Sequence, residues 1–314
     1  MTGGEPGAWD STYHAPVLAD EVLELFRGAK TILDCTLGGG GHSAALLASG
    51  ASVTAIDRDP QAVAAASDRL SKEAAAGKFR VILGNFAEAD RLLNDSHQKF
   101  DGILADLGIS SHQIDDADRG FSFREGALLN MRMDPASAET AATLLNTADE
   151  TEIAAILRDY GDEPRARRIA REIVRRRVTR SFKTSDDLVG AIRGALGPRS
   201  GPPDFARLFQ AFRIAVNDEI GSLERALPKL RDMLTSGGTL AVISYHSGED
   251  RAVKNAMREW SQDCICPPRQ LQCTCRGKAL GNPINRKPIT PSADEIGRNP
   301  RSRSARLRAW RSAA

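Results

Sequence analysis

Aromatic side chains are scarce in this chain: Phe, Tyr and Trp make up 5% of its 314 residues. That argues against a module that binds by stacking bases on an aromatic sheet. An excess of one charge is missing as well. The 43 Lys and Arg against 41 Asp and Glu leave a net charge of +2, so affinity for a polyanion must come from local patches. No apolar run is long enough to span a bilayer. The first ten residues hold no apolar segment of the secretory type, which makes the cytoplasm the expected compartment. Five cysteines occur, and Cys35 stands apart in an apolar run, where a small buried thiol is expected. No Gly-x-Ser-x-Gly elbow is present, so a hydrolase reading lacks support.

What is there begins at Thr31. Thr31 to Thr36 reads as a short buried strand, broken by the four glycines Gly38 to Gly41, and His42 to Ala48 reads as the start of a helix. Glycines let the backbone turn sharply and approach a ligand without Cβ clashes. The helix start offers unpaired N–H groups to polar or anionic atoms. A second strand, Ala51 to Ile56, ends in Asp57, 19 residues after Gly38. That is close to the offset at which a Rossmann-like βαβ unit sets an acid on a ribose hydroxyl. The plainer alternative is a tight turn in an ordinary α/β domain. The order strand, glycines, helix, strand, acid favours a nucleoside site.

Further strands are predicted at Phe79 to Leu83, Phe100 to Ala105 and, after a long gap, Thr239 to Ser244, with Ala305 to Arg311 as a last one. Helices are predicted at Leu18 to Phe26 and Pro60 to Leu70. The alternation points to a doubly wound, mostly parallel sheet, whose ligands lie beyond the carboxyl ends of its strands. The glycine loop, Asp57, Phe86 and Asp106 all fall on that edge. Between the fourth and fifth strands no strand is convincing. The segments Glu139 to Leu145, Glu150 to Tyr160, Arg165 to Arg177 and Thr184 to Leu196 read as helices. The expected organisation is a first part over 1–114, an inserted helical domain over 115–213 and a second part over 214–314. Residues 1–13 are expected to be poorly ordered, and 261–300, rich in Pro, Cys and Gly, to form an extended loop.

Four motifs carry further chemistry. Asp106 to Gln113 follows the fourth strand; Ser110 and Ser111 suit a cap or turn, whereas Asp106 sits on the ligand edge. Ser244 to Arg251 follows the fifth strand, and its His246 suits acid–base work or the orientation of a loop. Arg165 to Arg180 holds eight arginines, Arg168, Arg171 and Arg175 among them, and a second basic run ends the chain with Arg301 and Arg303. A solvated face is the commonest meaning of such a segment; two of them suggest a polyanion partner. Finally, Cys264, Cys266, Cys273 and Cys275 supply enough thiols for a tetrahedral zinc site. Their Cys-x-Cys spacing is tighter than the usual ribbon, and reduced loop thiols are the alternative.

Together these stretches resemble one family, the bacterial 16S ribosomal RNA (cytosine-N4)-methyltransferases, known as RsmH or MraW. The matching residues are His14 with Pro16-Val-Leu18, Asp34-x-Thr36-x-Gly38-x-Gly40-Gly41-His42-Ser43 and Ala55-Ile-Asp-Arg-Asp-Pro-Gln61. Asp106-Leu-Gly-Ile-Ser-Ser111, Gln113-x-Asp115-Asp116, Arg119-Gly-Phe-Ser-Phe123 and Met131-Arg-Met-Asp134 follow. Later come Phe209-Gln-Ala211, Arg213-Ile214, Val216-Asn217, Glu219, His246-Ser247, Glu249-Asp-Arg251 and Asn299-Pro-Arg301. The resemblance implies a class I S-adenosylmethionine-dependent methyltransferase fold interrupted by a helical, substrate-recognising domain. It implies that Gly38, Gly40, Gly41 and His42 contact S-adenosylmethionine, that Asp57 takes the ribose, that Phe86 and Asp106 frame the adenine, and that Gln113 completes the site. It also implies a cytidine in the decoding region of 16S ribosomal RNA as substrate, within the small ribosomal subunit. Oligomeric state stays open, a homodimer included. Three positions depart from the family's usual residues: Asn130 replaces Asp, His112 replaces Pro, and Tyr245 replaces Phe. At Asn130 a carboxylate that would orient the target amine is an amide.

Methylation of a ring carbon requires a nucleophile such as a thiolate, and no cysteine follows Asp106 on the ligand edge. Direct transfer to an exocyclic amine is therefore expected, with Asp106 as first acceptor of the amine's hydrogen bond and Asn130, Asp134 and His246 as its partners. A nicotinamide-dependent oxidoreductase would share the glycine loop and Asp57 but leave the arginine segments unexplained. A non-catalytic RNA-binding factor would use those segments and keep the nucleotide fold as a relic.

Overall fold

The computed structural model describes residues 16–93, 98–267, 270 and 272–314. His14 and the expected disorder of 1–13 lie outside them. The chain divides into two compact units, one comprising the residues up to Gly108 with Ile220–Ala314, the other Ile109–Glu219. The second unit is slightly wider at both ends than the helical segment expected over 115–213.

The first unit holds a seven-stranded sheet: β1 (Thr31–Asp34), β2 (Ser52–Asp57), β3 (Phe79–Leu83), β4 (Phe100–Asp106), β5 (Leu234–Ser244), β6 (Gly281–Pro283) and β7 (Arg306–Ser312). Their order is β3-β2-β1-β4-β5-β7-β6. The strands β1 to β5 run parallel, whereas β7 is antiparallel to both β5 and β6. This is a Rossmann-like, mostly parallel sheet with helices, as expected. The strands are apolar because helices cover both faces. Ile32, Val53, Leu104, Ala241 and Leu307 face one buried layer, and Leu33, Ile56, Ile103, Leu240 and Trp310 the other.

Several boundaries differ from expectation for local reasons. β5 starts at Leu234, ahead of the glycine pair, because Gly237 adopts φ 74° and the ladder to β4 shifts register between Phe100 and Gly102. That is the behaviour of a bulge. The expected loop 261–300 contains β6 and the helix Ala293–Arg298. Asp101 ties the amino ends of the central strands together. Its carboxylate accepts from the backbone N–H groups of Lys30 and Thr31 at 2.9 and 3.1 Å and from the Thr235 hydroxyl at 3.3 Å.

The second unit is helical, with one isolated bridge between Leu128 and Thr184 among its described residues. Its helices include Ala141–Thr147, Glu150–Asp159, Ala166–Arg177, Ser185–Leu196 and Pro202–Asn217. The last had no counterpart in the sequence reading. Pro202 and Pro203 look like a turn, yet proline suits the first helical turn. Phe205, Leu208, Phe209 and Phe212 then line its buried side. Glu219–Asp232, which leads back into the first unit, was hidden by Pro228 inside it. The motif residues of this unit form a clamp. Asn217 accepts from the Met133 N–H at 2.8 Å and donates to the Met131 carbonyl at 2.7 Å, and Arg119 donates to the Met133 carbonyl at 2.9 Å. Arg213 meets Glu219 through two bonds of 2.8 Å.

Candidate active site

Four strand ends of the first unit carry the expected residues. After β1 the chain turns through Gly38 and Gly40, both left-handed at φ 51° and 74°. At Gly40 a Cβ would press on Ala66 and Leu70 at 3.3 Å, whereas a Cβ at Gly38 would stand in open space. The two glycines thus serve different ends: one allows close packing, the other leaves the loop surface bare. The helix Gly41–Ala48 follows with Gly40 at its cap and no side chain bonded to its first N–H groups. An uncapped amino terminus is a ready site for a carboxylate.

Asp34, fully buried at the end of β1, braces this loop. Its carboxylate accepts the Ser43 hydroxyl at 2.7 Å and the Thr36 N–H at 3.2 Å. Burial nevertheless raises its pKa. At the end of β2, Asp57 accepts from the Gly38 N–H at 2.8 Å and from the Asp59 N–H at 2.9 Å. The residue expected to take the ribose is therefore bonded to the glycine loop. Burial pushes its pKa up to about 6 despite those two N–H groups. Phe86 opens a short 3₁₀ turn after β3, capped by Asn85, and packs against the core.

Asp106, at the end of β4, is held from three directions. Its N–H donates to Thr36 Oγ1 at 2.6 Å, and its Oδ1 accepts the Tyr245 hydroxyl at 2.8 Å. Its Oδ2 stands 3.4 Å from His42 Nε2. That approach falls outside hydrogen-bond alignment, so neither nitrogen of the His42 ring, 6% exposed, has a hydrogen-bond partner. Burial and the neighbouring Asp106 carboxylate raise the Tyr245 pKa well above its ordinary value, so Tyr245 acts as a donor here. Sequence reasoning did not find this role. The departure from Phe at position 245 marked the place, but nothing in a sequence pairs it with a residue 139 positions away. His246 is placed as a cap: its Nδ1 faces the Glu249 N–H at 3.4 Å, and Glu249 Oε2 accepts the Tyr245 N–H at 2.8 Å. This fixes the turn that carries Tyr245.

Asn130, Asp134 and Gln113 belong to the second unit. Asn130 Oδ1 accepts from Arg132 Nε at 2.8 Å, Asp134 Oδ1 from the Ala136 N–H at 2.9 Å, and Gln113 Oε1 from the Ser110 N–H at 3.0 Å in a capping box. The arginine segments are less available than their number suggested. Arg175 makes two bonds to Glu172, Arg176 joins them, and Arg171 lies 3.7 Å from Glu150. In the terminal run, Arg308 is buried in a two-bond pair with Asp250, and Arg306 joins it. Those two arginines therefore support the fold. Arg168, its neighbour Arg167, and Arg303 have no side-chain partner among the described residues. Among the described residues, no helix is long and apolar enough to cross a membrane.

The residues present fit a bound nucleoside carrying an amino-acid group. Two buried ring nitrogens of His42 lack partners, one helix end is uncapped, the Gly38 surface is open, and the Asp57 carboxylate is bonded to the same loop at the Gly38 N–H. A family model described as the MraW methylase family matches residues 11–313. The ribosomal RNA small subunit methyltransferase H of Gemmatimonas aurantiaca is 61% identical, with 98% of both chains covered. The proteins of the same name from Heliobacterium mobile and Anaeromyxobacter sp. (strain K) are 47% and 46% identical, covering 94% of this chain and 97% and 96% of theirs. The chain belongs to the MraW methylase family.

Proposed function

We propose that this protein methylates 16S ribosomal RNA in the small ribosomal subunit, using S-adenosylmethionine, at N4 of a cytidine in the decoding region. The observation that carries the proposal is Asp106: its backbone N–H is held by Thr36 and its carboxylate by the Tyr245 hydroxyl, on the same sheet edge as the glycine loop and Asp57. The names of the relatives support the RNA, and the motif resemblance supports the amine. The cytoplasm is the compartment this substrate implies.

When bound, S-adenosylmethionine supplies an electrophilic methyl group. Asp57 would hold its ribose hydroxyls, the open end of Gly41–Ala48 its carboxylate, and His42 would offer a ring nitrogen. The cytosine amine is a weak nucleophile because its lone pair is delocalised into the ring. Asp106 accepts a hydrogen bond from one amine N–H, orienting the lone pair for attack, and takes the proton that the nitrogen must shed on gaining the methyl group. The base must be unstacked to enter, which favours single-stranded RNA. Cys35 is 1% exposed within the sheet, so it supplies no thiolate for a covalent ring adduct. The helical unit 109–219 is the proposed RNA-recognition domain.

Small-subunit RNA from cells lacking the protein should lose one 4-methylcytidine signal in nucleoside mapping. An unchanged map would contradict the assignment. For RNA contact, the unpaired arginines are the better candidates. Replacing Arg167, Arg168 and Arg303 with Ala should flatten the dependence of log K on log salt by about 0.7–0.9 per arginine. Affinity for S-adenosylmethionine should stay unchanged. The same replacement at Arg171 and Arg175, already paired, should flatten it less.

A further inference from the structure

We propose that Cys264, Cys266, Cys273 and Cys275 form a closed, structural zinc site in the connection between the helix Ser247–Trp260 and β6. The four sulfurs converge within 4.8 Å of one another. Sγ–Sγ separations are 3.7 Å for Cys264 and Cys273, 3.9 Å for Cys266 and Cys273, 3.5 Å for Cys273 and Cys275, and 3.8 Å for Cys264 and Cys275. A zinc ion holding four thiolates at about 2.3 Å sets its sulfurs about 3.8 Å apart, the edge of the tetrahedron. A disulfide would need sulfurs about 2.05 Å apart, well short of every one of these distances.

Apolar burial does not explain the convergence. None of the described residues from 261 to 280 is buried. The base of the loop is stapled by hydrogen bonds: the Leu280 N–H to the Trp260 carbonyl at 2.8 Å, and the Ala279 N–H to Asp263 Oδ1 at 3.1 Å. Arg276 adds a bond to the Gln262 carbonyl at 3.2 Å. Among the described residues of the tip, Gln270 adds bonds to the Gln272 carbonyl at 2.9 Å and the Thr274 hydroxyl at 2.7 Å, and no apolar side chain is buried there. A segment without a core is the setting in which a metal supplies the missing cross-links. A backbone N–H group also points at one of the sulfurs, as such groups do around bound thiolates: the Ile265 N–H approaches Cys275 Sγ at 3.3 Å. Just after Cys275, Gly277 turns the chain at φ 66°, a left-handed turn suited to glycine.

With four protein ligands no position is left for water or substrate, so the site is structural. It is also remote from the chemistry. The 14-residue helix Ser247–Trp260, about 21 Å long, begins beside Tyr245 and His246 and ends at this loop.

The test uses the full chain purified in reducing buffer without chelator. Elemental analysis should find about one zinc per chain. The double variant Cys264→Ser, Cys273→Ser should lose it and be cleaved faster by protease within 261–280, while methyl transfer stays near wild type. Cobalt(II) added to the metal-free protein should give the thiolate charge-transfer and visible bands of a tetrahedral tetrathiolate. The proposal is overturned by preparations that hold neither zinc nor the cobalt spectrum, or by zinc that survives the double replacement. Iron in place of zinc, or a non-reduced mass showing disulfides, overturns it equally.

Discussion

Replacing Asp106 with Ala should slow methyl transfer on the order of a hundred- to ten-thousandfold, the range typical of a positioned proton acceptor. S-adenosylmethionine affinity should fall far less, because Asp57 and the glycine loop remain. The split follows from where Asp106 stands. Its backbone is fixed by Thr36 whatever the side chain, so the loop should keep its course in the variant. What disappears is the carboxylate alone. Tyr245→Phe removes the donor to Oδ1 but keeps the ring, and it restores the family's usual residue. Its effect should be smaller, about ten- to a hundredfold at most, the worth of one hydrogen bond to a charged group. Single-turnover rates with saturating cofactor check both variants. Full activity in Asp106→Ala, or an equal loss in Tyr245→Phe, would move the acceptor role elsewhere.

The second expected result concerns the cofactor. Asp57→Ala should weaken S-adenosylmethionine binding roughly ten- to a hundredfold, about 1.5–3 kcal/mol for charge-assisted bonds to hydroxyl groups. Its pH dependence gives a sharper signature. The carboxyl titrates at about 6 without ligand because burial disfavours its charge. Hydroxyl donors favour the ionised form and lower the pKa in the complex. Affinity should therefore be level above about pH 7 and fall as pH drops through about 6, by at most tenfold per unit. Asp57→Asn, which cannot ionise, should bind weakly with no such fall. Calorimetry across that range is the measurement. A wild-type profile that stays level to about pH 5 would contradict the role given to Asp57.

Much of this site was legible because each parallel strand is a short apolar run ended by a polar residue. Asp57 and Asp106 could be placed on one edge from that pattern alone. Contacts closed by tertiary structure were not legible. The Tyr245 hydroxyl meets Asp106 only because β4 and β5 are neighbours in register, with Asp106 beside Ile243. The partners of the arginine runs were only partly legible for a related reason. Glu172 with Arg175 and Arg176 follows ordinary helical spacing and was readable. Arg171 finds Glu150 on another helix, and Arg308 is buried because strand alternation turns it towards Asp250. β6 is three residues long and contains Pro283, so it carries no periodic signal. Only its pairing with β7 makes it a strand.

The central claim is direct transfer to a cytosine amine without a covalent intermediate. The most direct test incubates the purified protein with labelled S-adenosylmethionine and small-subunit RNA from cells lacking it, followed by nucleoside mass analysis. A parallel reaction uses RNA containing 5-fluorocytosine. The account predicts label in 4-methylcytidine alone and no protein trapped on the fluorinated RNA. Label on ring carbon, or a covalent protein–RNA adduct, would contradict it.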